Sequence, residues 1–208
     1  FVFGLGTVFA VIAFASRMDR GLQNQTIILT GMVFSLFVNA LITLVSVLEQ
    51  NYMQQLLLWQ MGSFSGRSWE QAGILAAVLI PGTLYLCRFS RQMDMMTFGE
   101  EAAQTMGVDT KRVKLKLIVA ASLLTGTAVC FTGTIGFIDL IAPHVARKVF
   151  GPAHKYALPV SVLFGGAFMV LADLAARTVM APTELPVGAV TALIGAPFFA
   201  WVYFKEKA

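Results

Sequence analysis

The sequence predicts an all-α polytopic membrane protein, a multi-helix transmembrane bundle, and three observations carry that reading. Hydrophobic residues make up 57% of the 208 positions and charged residues 12%, where a soluble domain carries about 25% charged residues. Cutting the chain at its charged punctuation leaves seven apolar stretches, and a hydrocarbon core needs roughly 20 apolar residues per helix. The 15 lysines and arginines alternate in abundance from one connection to the next.

The stretches are Phe1–Ala15, Gln25–Leu48, Gln71–Cys87, Leu115–Thr134, Ile135–Phe150, Ala157–Met180 and Pro186–Phe204. Alternate connections gather Arg17 and Arg20; Arg88, Arg91, Lys111, Arg112, Lys114 and Lys116; Arg147, Lys148 and Lys155; and Lys205 and Lys207. The other side receives only Arg67 and Arg177, a split of 13 against 2. Cytoplasmic loops hold the excess of Lys and Arg, so the split assigns orientation and puts the C-terminus in the cytoplasm. The net charge of +4 does not imply nucleic acid. The cations sit at span ends, where they set topology and meet anionic head groups. The chain opens on Phe1 inside an apolar run and is read as the C-terminal part of a longer protein, with residues 1–208 forming a single transmembrane domain.

Phe1–Ala15 descends to a cytoplasmic turn at Ser16–Gly21. Gln25–Leu48 rises, with Gly31, Ser35 and Asn39 at four-residue spacing. Small residues at that spacing let helices approach closely; facing a polar pathway is the second reading. Glu49–Glu70 is the long outer connection, and Tyr52–Met61 within it predicts an interfacial helix. Ser68 and Gln71 form a capping box opening the third stretch.

The segment 88–116 is the most polar. Thr97-Phe98-Gly99-Glu100 reads as a capping box, Glu100 and Glu101 suit a helix N-terminus, and Gly107 is placed to end that helix. Asp109 can cap a second short helix bearing Lys111, Arg112 and Lys114. The loop is therefore expected to be two short helices that rest on a partner or a lipid surface. Beyond it, Gly133-Thr134-Ile135-Gly136 predicts a break at the outer face. Pro143 is expected to kink the next segment. Asp139 is expected to reach water at its outer end. Pro186 is read as a first helical position, followed by Gly188, Ala192 and Ala196 at four-residue spacing.

Catalytic signals are missing from the sequence. No Gly-x-x-x-x-Gly-Lys-Ser/Thr is present, so the chain has no P-loop of its own. Gly62-Ser63-Phe64-Ser65-Gly66 places Phe64 where a hydrolase elbow needs serine. His144 and His154 lack zinc-type spacing, Cys87 and Cys130 are far apart, and no metal site is expected. Asp173 and Arg177 lie four apart. Intramembrane ionisable residues are functional candidates, yet this spacing also lets the pair satisfy itself; both readings stand.

Four ordered motifs resemble one family. Gly99-Glu100-Glu101-Ala102-Ala103-Gln104-Thr105-Met106-Gly107-Val108 is similar to the cytoplasmic signature of FecCD-type, or BtuC-like, permeases. Gly133–Arg147, through Pro143-His144, resembles that family's "GxIGFxGLxxPHxAR". Leu171-Ala172-Asp173-Leu174-Ala175-Ala176-Arg177 resembles "LADxxAR", and Glu184–Phe199 resembles "ELPxGxxTAxxGAPxF". The likeness is nearly collinear from about residue 25 to the end. Asp139 departs from it, standing where the family usually has Gly.

The resemblance implies the permease subunit of an ABC importer for an iron-siderophore, haem or cobalamin-type chelate in the bacterial inner (plasma) membrane. It implies about ten spans, of which this chain holds about seven. It also implies pairing with a second permease subunit, as homodimer or heterodimer. Two ATPase subunits would dock below and carry ATP-Mg, and an extracytoplasmic binding protein would dock above. No catalysis and no cofactor belong to this chain. Coupling to the ATPases would run through Glu100, Glu101, Ala102, Thr105, Met106, Gly107 and Val108 of the 88–116 loop. Arg177 would meet a glutamate on the binding protein, with Arg67 a second candidate that has no motif match. Gln23 and Asn24 would border the inner gate. The alternative is an ion-coupled secondary transporter, which needs an ionisable residue near the midplane; only Asp173 could serve.

Overall fold

The structure is a computed structural model that describes residues 2–18, 24–48 and 53–207. Ten helices account for most of the described residues. Four are long and apolar enough to cross a membrane: α2 (Asn24–Leu48), α4 (Trp69–Cys87), α7 (Thr110–Thr132) and α9 (His154–Thr178). Two more, α1 (Val2–Met18) and α10 (Val187–Lys207), contain shorter apolar stretches, Gly6–Arg17 and Val187–Val202. The others are α3 (Met53–Gln60), α5 (Ser90–Met96), α6 (Glu100–Thr105) and α8 (Ile138–Phe150).

The predicted span Ile135–Phe150 needs correction. Its helix α8 has 13 residues, about 20 Å at helical rise, against a hydrocarbon core of about 30 Å. The polypeptide from 133 to 137 is not helical, because Gly133 and Phe137 both take positive φ, 72° and 67°. This break falls where the glycine-rich run predicted it. Non-helical backbone within a membrane bundle must find partners inside the protein. Here the Ser63 N–H donates to Thr132 O at 2.8 Å, and the Thr134 hydroxyl donates to the Gln60 carbonyl.

Small residues make that junction possible. A Cβ on Gly133 would collide with the Trp59 carbonyl, and one on Gly188 with the Met61 carbonyl. Three chain segments, 59–63, 132–135 and the start of α10, thus touch backbone to backbone. Beside them Ala172, Ala176 and Val187 form a buried cluster against Phe64, Phe168 and Leu185, and the Leu185 N–H donates to Ala176 O at 3.0 Å.

Among the described residues alanine dominates the rest of the buried core, with Val113, Ile141 and Val202 beside it. Ala142, Ala146 and Ala157 are buried with Ile141 where α8 packs on α9, the most extensive helix pair. Packing between membrane helices favours small residues, because lipid tails offer no hydrophobic drive. Large apolar side chains face outward instead, including Leu36, Leu84, Leu163 and Val170. Trp69, at 94% exposure, stands at the end of α4 as interfacial aromatics do.

Several local expectations hold. The Gln71 N–H donates to Ser68 Oγ and the Ser68 N–H to Gln71 Oε1, both at 3.3 Å, which completes the capping box of α4. The short helix expected within Tyr52–Met61 appears as α3. Asp139 is exposed in the first turn of α8, where the helix dipole favours a carboxylate. Pro186 precedes α10 rather than opening it; its carbonyl accepts the first bonds, from Ala189 at 3.0 Å and Val190 at 3.3 Å.

Candidate functional site

The polar segment 88–116 folds into a corner of three helices. It differs from two short helices in a loop. An additional helix, α5, precedes α6, and the predicted second short helix is the first turn of the long span α7. The cap of α7 is as expected: Asp109 accepts from the Arg112 N–H at 3.1 Å and pairs with Arg112 Nε at 2.9 Å. Lys111, Arg112 and Lys114 therefore ride on a membrane-crossing helix.

The expected capping box at Thr97 does not form. Thr97 follows the last turn of α5, and its hydroxyl donates back to Asp94 O at 2.7 Å. Gly99 caps α6 instead, with φ at 108° and no side-chain cap. Gly107 ends α6 as predicted. Its φ is +85°, the Val108 N–H reaches Ala103 O at 3.0 Å and the Gly107 N–H reaches Gln104 O at 2.9 Å. These are the two bonds of a Schellman termination.

Two polar ties fasten this corner. Glu100 Oε1 meets Lys114 Nζ across 14 residues, joining α6 to α7. The Lys114 side chain is only 7% exposed, so a buried ammonium gains a carboxylate. Gln104 Nε2 adds a bond to Thr110 Oγ1 at 3.0 Å, over a fully buried Ala103. The second tie joins α5 to α9. Asp94 Oδ1 accepts from the His154 backbone N–H at 2.9 Å and lies 2.6 Å from His154 Nδ1.

That tie extends α9. The apolar pattern starts the span at Ala157, whereas the helix starts at His154, because Asp94 satisfies an amide that a helix N-terminus leaves open. Burial works against the Asp94 carboxylate. Hydrogen bonds from the His154 amide and ring, with the ring's charge, outweigh it and hold the carboxyl below its usual value. Sequence reasoning missed Asp94 and its partner, and no local pattern links residues 60 apart.

The predicted coupling residues divide by exposure. Glu101, Thr105, Met106 and Gly107 are exposed, and Ala102, Val108 and Glu100 are partly covered. Phe98, at 77% exposure, stands beside them. The outward face of α6 is thus acidic and apolar at a corner rich in cations.

Arg177 lies far along the chain, in the last turn of α9. Its Nε donates to Asp173 Oδ2 at 2.8 Å, and Nη1 lies 4.0 Å from Glu184 Oε1. The side chain remains 43% exposed. Arg67 is exposed in the loop 61–68, whose Phe64 packs on the cluster around Ala176. Both arginines therefore belong to the end of the bundle where the glycine junction lies. Gln23 lies outside the described residues, and Asn24 is the first residue of α2.

A cavity of about 440 Å³ opens between α1, α2 and α7. Gly31, Ser35 and Asn39 line it with Thr7 and Ser122, among apolar residues such as Val11 and Phe34. The four-residue stripe of α2 thus faces a hollow, and that hollow carries hydroxyl and amide groups without a charge. Among the described residues no cluster of His, Cys, Asp and Glu could hold a metal.

Known proteins match along the whole chain. The chain is 38% identical over 202 residues to the uncharacterized ABC transporter permease protein YvrB of Bacillus subtilis, covering 97% of this chain and 57% of that one. It is 39% identical over 202 residues to the cobalamin import system permease protein BtuC of Halobacterium salinarum, covering 97% and 54%. A solved metal-chelate type ABC transporter in an inward-facing conformation superposes with a TM-score of 0.91 at 29% identity, covering 98% of this chain and 65% of that one. The chain therefore spans between half and two thirds of these relatives. A model of the FecCD transport family matches residues 1–205; the protein is a multi-pass membrane protein and belongs to the FecCD transport family.

Proposed function

We propose that this chain is the pathway-forming part of a permease subunit of an ABC importer for a bulky metal chelate or cobalamin-type cargo. ATP-Mg binds separate ATPase subunits, and this chain performs no catalysis. One observation carries the reading. The α6 helix presents Glu101, Thr105 and Met106 outward while Glu100 fastens it to Lys114 of a long span. A push on α6 then moves α7 as one body, since buried charge pairs have discrete geometries rather than compliant ones. On this reading 88–116 is the coupling segment, the basic end faces the cytoplasm with the C-terminus, and Arg177 and Arg67 face the binding protein.

The cavity supports the same reading. Cargo that must leave as readily as it enters calls for weak hydrogen bonds, and Thr7, Ser35, Asn39 and Ser122 are of that kind. The rival is coupling to an ion gradient. It calls on Asp173, which already accepts from Arg177 at 2.8 Å. The deciding experiment uses the whole complex in proteoliposomes with binding protein outside. Uptake that requires ATP inside and ignores ionophores supports the importer. Uptake driven by an imposed ion gradient without ATP overturns it.

A further inference from the structure

We propose that the groove between α8 and α10 binds the headgroup of one anionic phospholipid and seats part of an acyl chain along its apolar continuation. The groove begins at the basic end. Arg147 and Lys148 occupy the last turn of α8, and Lys205 lies near the end of α10. Lys148 Nζ sits 5.7 Å from the centroid of the Trp201 ring, and Lys205 Nζ sits 4.8 Å from it. Two ammonium groups drawn to one indole repel each other, and a single anion between them would relieve that repulsion. The surrounding cavity of about 510 Å³ is lined by His144, Arg147, Lys148, Trp201, Val202 and Lys205, with no carboxylate among them.

The shape selects a lipid over a free anion. A second cavity of about 280 Å³ shares His144, Arg147 and Val202 with the first. It continues past Pro143 of α8 and Phe198 and Phe199 of α10. The acidic residue lining it, Asp139, lies two turns from Arg147, about 12 Å along the helix. Positive charge is thus confined to one end, Asp139 stands at the other, and the surface between them, past Leu140, Pro143, Phe198 and Phe199, is apolar. A phosphate ion needs only the first half of this groove. An acidic peptide would meet the cations but would leave the apolar half unfilled. Basic pockets between membrane helices recruit anionic head groups, and a tryptophan at such a level marks the interface. A lipid held here would brace α8 against α10.

The test uses the whole transporter complex in detergent, stripped of lipid and titrated with phosphatidylglycerol under native mass spectrometry. The unaltered complex is expected to retain one more phosphatidylglycerol per permease chain than Lys148→Gln/Lys205→Gln. Its affinity should exceed that of the variant on the order of tenfold. Lys148→Arg/Lys205→Arg is expected to keep the lipid, which separates lost charge from lost folding. Equal retention in the Gln variant overturns the proposal. So does equal retention of phosphatidylcholine, or displacement by millimolar inorganic phosphate, which would mark a free-anion site. A Lys148→Cys thiol shielded from maleimide in the lipid-free complex would show a protein covering the groove, and that too overturns it. Occupancy is read without transport, so these outcomes are independent of whether the importer reading holds.

Discussion

Asp94 and His154 join helices 60 residues apart through a single carboxylate oxygen, which accepts the backbone N–H of His154 at 2.9 Å and lies 2.6 Å from its ring nitrogen. The contact both caps α9 and anchors α5. It makes the N-terminal turn of a long span depend on a short helix of the 88–116 segment.

Asp94→Ala is therefore expected to fray the start of α9 and loosen α5. Faster amide exchange at residues 154–157 than in the unaltered protein would register this; unchanged exchange would show the tie to be idle. Asp94→Asn keeps an acceptor for the N–H but loses the charge, and should fall between the two. The Asp94 pKa is lowered from 3.8, so the tie's contribution is complete above about pH 4 and is lost as pH falls through the lower folded value. Acid melting of the Asn variant should lack that component.

Glu100 and Glu101 are adjacent in sequence but differ in role. Glu100 holds the buried Lys114, so Glu100→Gln is expected to lower stability by about 2 kcal/mol, read as a lower melting temperature of the detergent-purified complex. Glu101 is exposed. Glu101→Lys should leave melting unchanged while cutting ATP-driven uptake by about tenfold, as charge reversal at a docking surface does. Unaltered uptake in Glu101→Lys would remove α6 from the coupling surface.

The physical reasons for what the sequence revealed are visible in these same residues. Ser68, Asp109 and Gly107 act through neighbours three to five positions away, so their roles are written locally. The break at Gly133 is legible for the same reason. Helix α5 was not, because its N-cap Phe89 makes no side-chain bond and its tie to α9 runs through Asp94. The Thr97 pattern misled because the hydroxyl had a nearer acceptor in Asp94 O. Pairing of Glu100 with Lys114 and the meeting of Gly133 and Gly188 with carbonyls from another loop are tertiary facts, which no spacing encodes.

The stripe on α2 gives a labelling prediction. In a background with Cys87 and Cys130 replaced by Ser, Ser35→Cys and Asn39→Cys should react with a water-soluble thiol reagent, because both face the cavity with Ser122. Leu36→Cys, which is 71% exposed but does not line that cavity, should react far less in a bilayer. Reactivity at 35 and 39 is expected to change between nucleotide-free and ATP-trapped complexes. Cysteines at 23 and 24 should follow the same cycle if they border the gate. Labelling at all four positions that ignores nucleotide would count against a pathway along α2.

Gly188→Val tests the backbone junction. The added side chain would meet the Met61 carbonyl and force loop and helix apart, at roughly 1–3 kcal/mol. Gly166→Val serves as the control, since a Cβ there meets nothing within 4 Å. The first variant should melt lower and the second should not; equal melting would mean the junction relaxes freely.

Arg177 offers the sharpest separation of two roles. The geometry gives it two local carboxylates, Asp173 at 2.8 Å and Glu184 at 4.0 Å, and still leaves 43% of the side chain exposed. A group used only to neutralise Asp173 gains nothing from that exposure, whereas a docking arginine needs it. Its scarcity matters too, since Arg67 is the other basic residue assigned to this end. Arg177→Glu is expected to weaken association of the binding protein, with a loss that shrinks as salt rises, because exposed ion pairs are screened over about 8 Å at physiological ionic strength. If Arg177 meets a glutamate of the binding protein, replacing that glutamate by arginine should recover part of the affinity. Swapping charges internally, Arg177→Glu with Asp173→Arg, restores the intrahelical pair but presents the wrong sign outward. Melting should then recover while docking does not. Full recovery of docking and uptake in that swap would make Arg177 a structural partner of Asp173 and end its assignment to the binding-protein interface.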